Sequence, residues 1–366
     1  MEIEDITFYR VQNSRADWTV AAAVNDSRAA APSGASAGSH EAQSFVPDDL
    51  GAVEDEIRDR VKGQDLDQKE FDSLLHEVDG SAQFSRIGSA GIAASMAFRQ
   101  ARGFAHDGAF PYPLGNVVGG GEHGGNTAIQ EFLVIPVGAD SFLEAVETNA
   151  EIYREVRERY ATKVMGMNDE GALVTRMDDL ETLKAVKKVA HDHGARVGLD
   201  LAANELWDGE SYTYPELNMD LPPEEQRKFV SKLIEDHDIY YVEDPFHEED
   251  FKRHAELRRQ HDCLVVGDDL FVTNTSRLER GIEEGACNAL IVKPNQVGTV
   301  SEALETVEMA READYLPVIS HRSGETCDTT ISSLALEWDL PIIKAGITDI
   351  RVAKLNMLSR VWQQRE

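Results

Sequence analysis

The chain is short of cysteine, of lysine and of long apolar runs, and each shortage excludes something. Its three cysteines, Cys263, Cys287 and Cys327, stand far apart in 366 residues and lack metal-ligand spacing. They build neither a disulfide framework nor a zinc site and suit a reducing compartment. Cys263 and Cys287 read as small buried hydrophobes. No stretch of 18 apolar residues occurs, and the first residues are acidic where a signal peptide would be basic and then apolar. Neither a membrane span nor a signal peptide is expected, and the protein is assigned to the cytoplasm.

Lysine is scarce while acid is abundant: 12 lysines and 24 arginines face 67 acidic residues, for a net charge of −31. No basic patch is available to follow a phosphate backbone, so a nucleic-acid partner is not expected. Acidic excess with little lysine suits a high-salt interior, where screening removes self-repulsion. A halophilic source is the corresponding hypothesis; stability that failed to rise between low and molar salt would count against it. With 42% hydrophobic residues the chain has ample material for a core, and its length fits a barrel plus one smaller domain.

Five short runs carry the chemistry: Val242-Glu243-Asp244-Pro245-Phe246, Gly267-Asp268-Asp269-Leu270, Val292-Lys293-Pro294-Asn295-Gln296, Ser320-His321-Arg322-Ser323-Gly324-Glu325-Thr326 and Ile343-Lys344-Ala345-Gly346. The intervals between Glu243, Asp268, Lys293, His321 and Lys344 are 25, 25, 28 and 23 residues, about one strand plus one crossover helix. Short β-branched runs at 239–242, 264–266, 290–292 and 317–319 read as buried parallel strands. Helical stretches at 276–284, 300–313 and 329–338 separate them. The order is β-α repeated, which implies a (β/α) barrel.

Polar residues at the C-terminal ends of such strands share one mouth, and Asp200, after the strand at 196–199, joins them. Crowded carboxylates are costly unless a cation neutralises them, so an all-oxygen trio predicts a hard divalent metal, Mg²⁺. Taken singly these residues say little. Gly-Asp-Asp-Leu is commonly a solvated acidic turn, a lone His123 or His321 is more often structural, and Lys293 could be snorkelling. The constellation decides.

Residues 1–111 alternate strand-like runs (6–11, 18–24) and a Gly/Ser/Ala loop with helical segments at 54–62 and 90–102, an α+β capping domain. Residues 112–366 form the barrel domain, with a strand at 129–136 and a helix at 141–160. Gly119 to Gly121 and Gly124-Gly125 suit a lid that opens for substrate.

These segments together resemble the enolase family, in order and over nearly the whole chain. Asn13-Ser14-Arg15 and Thr19-Val20 resemble its opening strand. Ala31-Pro32-Ser33-Gly34-Ala35-Ser36-Ala37-Gly38 resembles its metal-binding loop. Gly121-Glu122-His123 with Gln130-Glu131-Phe132, and Asn168-Asp169-Glu170-Gly171, resemble its catalytic-acid segments. The resemblance implies an α/β fold, an enolase-type (β/α)8 barrel with an N-terminal α+β cap. It implies a Mg²⁺-dependent lyase, a phosphopyruvate hydratase that interconverts 2-phospho-D-glycerate and phosphoenolpyruvate plus water. Enolase-superfamily sites are themselves the standard case of a Lys or His base working with one or two Mg²⁺ ions.

On the same resemblance, Lys293 is the general base, its pKa lowered by Lys344 and the metal ions, and Glu170 the general acid. Glu131 helps hold the acid's proton, and Lys344 has a catalytic and a substrate-binding part. Asp200, Glu243 and Asp268 ligate a tightly held Mg²⁺; a second Mg²⁺ takes Ser36. Arg322 and Ser323 hold the substrate phosphate, Arg322 through a bidentate fork. His123, Gln130 and His321 line the pocket.

Some positions depart from the family pattern. The residue after Ser36 is Ala37, the acid segment ends Gly171-Ala172, and Cys327 follows Ser-Gly-Glu-Thr. The run after Lys344 becomes Ala345-Gly346, then Ile347-Thr348-Asp349-Ile350-Arg351. The family has a homo-oligomer whose interface uses a strand glutamate; Ala21 stands there, so an ion pair to an arginine such as Arg360 is lost. The cap and lid are also shortened, which shields a reactive intermediate less well. The altered loops keep a second reading open, an enolase-like paralogue acting on another phosphorylated or α-hydroxy carboxylate. A non-catalytic scaffold would be expected to lose a base or a metal ligand, and none is lost.

Overall fold

The structure, a computed structural model, describes residues 1–34 and 40–366. Ser36 and Ala37 lie outside the described residues. The chain opens with an antiparallel sheet of β1 (Ile6–Gln12), β2 (Trp18–Val24) and β3 (Ser27–Ala30). Ile6 lies opposite Val24 and Gln12 opposite Trp18, and the buried Ile6, Phe8, Val20, Ala22 and Val24 follow the two-residue period of one strand face. β3 was not expected; it falls just before the Gly/Ser/Ala stretch.

Three helices follow: α1 (Leu50–Val61), α2 (Gln68–Asp79) and α3 (Ser89–Ala101). α1 starts four residues earlier than the apolar period suggests, because Asp49 caps it by accepting from Ala52 N at 2.9 Å. α2 opens with a reciprocal capping box between Asp67 and Glu70. α3 is buried throughout 89–98. It is small and apolar all round because it lies between the N-terminal sheet and a barrel helix, Val300–Glu312.

The remaining strands are β4 (Tyr112–Gly119), β5 (Glu131–Ile135), β6 (Val164–Met167), β7 (Leu173–Thr175), β8 (Arg196–Asp200), β9 (Tyr212–Tyr214), β10 (Met219–Leu221), β11 (Ile239–Glu243), β12 (Leu264–Gly267), β13 (Ala289–Val292), β14 (Leu316–Ser320) and β15 (Ile342–Lys344). Eight of them form a closed ring in the order β4, β5, β8, β11, β12, β13, β14, β15, sealed by β15 pairing with β4. Helices from Phe142–Arg159 onward pack outside the ring.

Simple β-α repetition predicts an all-parallel ring, and one strand breaks that rule. β5 is antiparallel to both β4 and β8. β4 and β5 are joined by residues 120–130, which hold one 3₁₀ turn, Gly121–His123, and no α-helix, whereas parallel neighbours need a crossover, usually an α-helix. The β6–β7 hairpin, also unforeseen, attaches to the edge of β4 through Val118 and Leu173.

The barrel interior is filled at its floor by Leu114, Leu133, Ile135, Tyr241, Val266, Ala289, Ile291, Val318 and Ile342, a packed plug rather than a pore. Polar residues are thereby confined to the opposite mouth. No helix among the described residues is long and apolar enough to cross a membrane.

Candidate active site

Strand ends deliver the charged ring. Asp200, Glu243 and Lys344 are the last residues of β8, β11 and β15, while Asp268, Lys293 and His321 directly follow β12, β13 and β14. Glu131 is the first residue of β5, and it reaches the same mouth because that strand runs backwards. Register places Glu131 opposite Asp200 and Asp200 opposite Glu243. Glu131, Glu170, Asp200, Asp268, Lys293, His321, Arg322, Ser323, Lys344, His123 and Gln130 line one cleft. Glu243 is more deeply placed, only 1% exposed, below Lys344.

Lys344 Nζ lies 2.9 Å from Asp200 Oδ2, 2.8 Å from both Glu243 oxygens and 2.5 Å from Glu131 Oε2. Burial alone would lower its pKa; Asp200, Glu131 and Glu243 hold it well above the usual lysine value. Glu243 is pushed up to about 8 by burial and by Asp200, against the pull of Lys344. Its Oε2 also accepts from Tyr241 OH at 2.6 Å. Lys293 donates to Asp268 Oδ2, and Gln296 Nε2 donates to Asp268 Oδ1 at 2.9 Å.

In the protein chain by itself, with no ion on Asp268, the Lys293 pKa stands above the usual lysine value. Burial, Arg322 and Lys344 act against its charge, but Asp268 outweighs them. A metal ion on Asp268 would compete for that carboxylate.

The catalytic-acid candidates form a second group. Glu131, Glu170 and His321 bring ligand atoms within 4.8 Å of one another. Burial and the neighbouring carboxylates hold Glu131 well above the usual range, although Lys344 opposes them. Burial acts against ionisation of Glu170 too, but His123, His321 and Arg351 outweigh it and keep that carboxyl below the usual range. Asn116 Nδ2 donates to Glu131 Oε1 at 2.8 Å. His123 Nδ1 lies 3.0 Å from Asp169 Oδ1 and its Nε2 3.5 Å from Glu170 Oε1.

Glu170 sits in a tight turn. Asn168 Oδ1 accepts from Glu170 N at 3.0 Å and Ala172 N at 2.9 Å. Gly171 has φ +77°, and a Cβ there would stand 2.5 Å from Thr348 Oγ1. The altered run after Lys344 supports this turn: Thr348 Oγ1 donates to Gly171 O at 2.6 Å and Arg351 Nη1 to Asp169 O at 3.2 Å. Arg351, wholly buried, also donates through Nη2 to the carbonyls of Arg322 and Ser323. It ties the acid turn to the proposed phosphate loop. The sequence marks it only as part of a departure from pattern; a lone arginine two residues after an acidic one carries no stronger signal.

The N-terminal signature docks on the same loop. Ser14 N donates to Glu325 O at 2.7 Å, Ser14 Oγ to Ser323 O at 3.2 Å, and Ser33 pairs with Gly324. The sequence analysis passes over Glu41 and gives no role to Gln296, the last residue of one of its five runs, although both are buried and both stand in the cleft wall. No spacing rule points to either.

The donor set suits a hard divalent ion. Asp200 and Glu243 already converge on one cation, the Lys344 ammonium, and offer only carboxylate oxygen. The acidic trio whose oxygens lie within 4.8 Å of one another is Asp244, Asp268 and Asp269 rather than the expected Asp200, Glu243 and Asp268, and Asp244 accepts from the backbone N–H of Asp268 and Asp269. Ser36, the expected ligand of a second ion, lies outside the described residues.

Comparison with known proteins agrees with this geometry. Residues 3–108 match the family described as "Enolase, N-terminal domain" and residues 107–365 "Enolase, C-terminal TIM barrel domain". Curated relatives named Enolase include one from Archaeoglobus fulgidus, 41% identical, with 99% of this chain and 97% of the relative covered. Another, from Halobacterium salinarum, is 42% identical with 98% of each covered. A third, from Methanothermobacter thermautotrophicus, is 41% identical with 99% of this chain and 96% of the relative covered. With both halves matched in order and identity near 41% from end to end, this chain belongs to the enolase family.

Proposed function

We propose that this chain catalyses the Mg²⁺-dependent, reversible dehydration of 2-phospho-D-glycerate to phosphoenolpyruvate and water, the glycolytic step, in the cytoplasm. The observation that carries the reading is that one cleft unites two lysines held by carboxylates with a coupled pair of carboxyls whose proton affinities are driven apart. We read residues 1–111 as the cap and 112–366 as the catalytic barrel.

Abstracting a proton beside a carboxylate builds a dianion, and Mg²⁺ supplies the charge neutralisation that makes it accessible. Asp200, Glu243 and Asp268 would hold one such ion, and Ser36 would contribute to a second. Lys293 takes the C2 proton as a free amine; Lys344 and Arg322 oppose its protonation, whereas Asp268 favours it until that carboxylate is shared. Glu131 and Glu170 titrate as a unit. Their common proton is favoured by burial around Glu131 and passes, through Glu170, to the departing C3 hydroxyl.

Arg322 and Ser323 take the phosphate, with His123, Gln130, His321 and Lys344 around the substrate. Among the described residues, the altered run after Lys344 braces the acid turn and the 322–323 backbone, and no observation favours the second substrate reading.

The test is phosphoenolpyruvate absorbance with purified protein, 2-phosphoglycerate and Mg²⁺ in molar KCl, beside Lys293→Ala. Product formation abolished by EDTA and by the substitution is expected. A folded protein without product on this substrate would overturn the assignment and turn the search to other phosphorylated or α-hydroxy carboxylates.

A further inference from the structure

Among the described residues, the Arg322 side chain is held from one side. It is 6% exposed, and Nη2 donates to Glu41 Oε2 at 2.8 Å. Nη1 is buried and has no hydrogen-bond partner among the described residues, although the side chain forms part of the cleft wall. A guanidinium is planar and rigid, so a bond to one nitrogen sets the direction of the others.

Glu41 is itself fixed from the barrel. Ala42 N donates to Gln296 O at 2.7 Å, and Gln296 Nε2 stands between Glu41 Oε1 at 3.5 Å and Asp268 Oδ1 at 2.9 Å. Gln296 cannot turn over freely, because its Oε1 accepts from Thr273 Oγ1 at 2.7 Å. A continuous line of contacts therefore runs from Arg322 through Glu41 and Gln296 to Asp268. Asp268 and Asp269 also attract the Arg322 charge; without Glu41 they would be free to draw it off its present line.

We propose that Glu41 is a positioning residue that holds the Arg322 guanidinium by its Nη2 and so presents the unpartnered Nη1 to the phosphoryl group of the substrate. The proposal rests on the reading of Arg322 as the phosphate holder. Glu41 is not a rival for that group, since it leaves one face of the fork open. It arrives from the N-terminal part of the chain, so the anion subsite is completed across the junction between that part and the barrel.

The experiment uses the full chain with Mg²⁺ in molar KCl and compares Glu41→Ala, Glu41→Gln, Glu41→Asp and Arg322→Gln with the parent. The readouts are kcat, KM for 2-phosphoglycerate and the inhibition constant of inorganic phosphate. Losing a charged hydrogen bond should raise both KM and the phosphate constant about tenfold in Glu41→Ala and Glu41→Gln while kcat falls by less than about threefold. Glu41→Asp, which keeps the carboxylate, should recover part of the loss. Arg322→Gln should abolish phosphate inhibition.

Unchanged phosphate inhibition in both Glu41→Ala and Glu41→Gln, with inhibition lost in Arg322→Gln, overturns the role of Glu41 and leaves that of Arg322. Inhibition retained in Arg322→Gln overturns the underlying reading. Tighter phosphate binding in Glu41→Ala would make Glu41 a competitor and also overturns the proposal. Should the alanine variant not fold, the near-isosteric Glu41→Gln decides alone.

Discussion

Lys344 Nζ lies 2.8 Å from each oxygen of the Glu243 carboxylate. The two residues end β15 and β11, which stand four places apart in a ring of eight, so the contact spans the barrel mouth. Removing the ammonium strands Glu131, Asp200 and Glu243 as crowded buried acids. Lys344→Ala should lose about 3–5 kcal/mol of stability and at least about 10²-fold in kcat. Thermal melts with and without millimolar Mg²⁺ check it: Mg²⁺ should restore part of the lost midpoint, and a variant as stable as the parent in EDTA would sink the idea.

Arg351 gives a second test. Its fork bonds the carbonyls of Asp169, Arg322 and Ser323 together with the Asp349 carboxylate, a set that lysine cannot reproduce. Arg351→Lys should keep the fold but slow turnover by roughly ten- to a hundredfold, by analogy with outer partners that orient site residues. Stopped kinetics with normal melting would support this; unaltered kcat would refute it.

Acid sensitivity has an identifiable contributor away from the site. His254 is fully buried, with Nδ1 2.9 Å from Asp250 O and its ring edge-on to Phe246. Burial pushes its pKa down to about 4, against 6.5 when exposed. The unfolded chain binds the proton first, so this contribution is complete above pH 6.5 and is lost as pH falls to about 4, amounting to ~3 kcal/mol. Denaturation at pH 7 and pH 4.5 should show a smaller drop for His254→Phe than for the parent. Equal drops would remove His254 from the account.

Salt should stabilise the protein. Its −31 charge is spread over surface acids, and screening weakens their repulsion. Urea midpoints should climb from low to molar KCl, and a flat profile would reject the halophilic reading.

Much of the barrel was legible because buried strands alternate with helices and each later strand hands one charged residue to the mouth. Asp200, Glu243, Asp268, Lys293, His321 and Lys344 could all be placed that way. The reversal of β5 was legible in principle, since the glycine-rich 120–130 connection carries no apolar helical period, but the β-α period masked it. Glu41, Gln296 and Arg351 were hidden for a different reason. Their roles come from side-chain bonds between segments distant in sequence, as in the Glu41–Arg322 pair, and periodicity is blind to these. The direction of the Lys293 shift also required geometry, because Lys344 repels it while Asp268 bonds it.

The backward course of β5 has a further consequence, for assembly. β4 and β5 are joined by residues 120–130 alone, making theirs the most local pairing in the ring, whereas the seal between β15 and β4 brings residue 342 to residue 112. Loop-closure entropy therefore weighs least on the first joint and most on the last. A chain in which β15 has not yet docked carries two open stretches of sheet edge, β14 and the 112–114 part of β4 that the β6–β7 hairpin leaves uncovered, each able to template strand addition from another molecule. Docking of β15 thus closes the barrel, covers both open edges and delivers Lys344 to the mouth together.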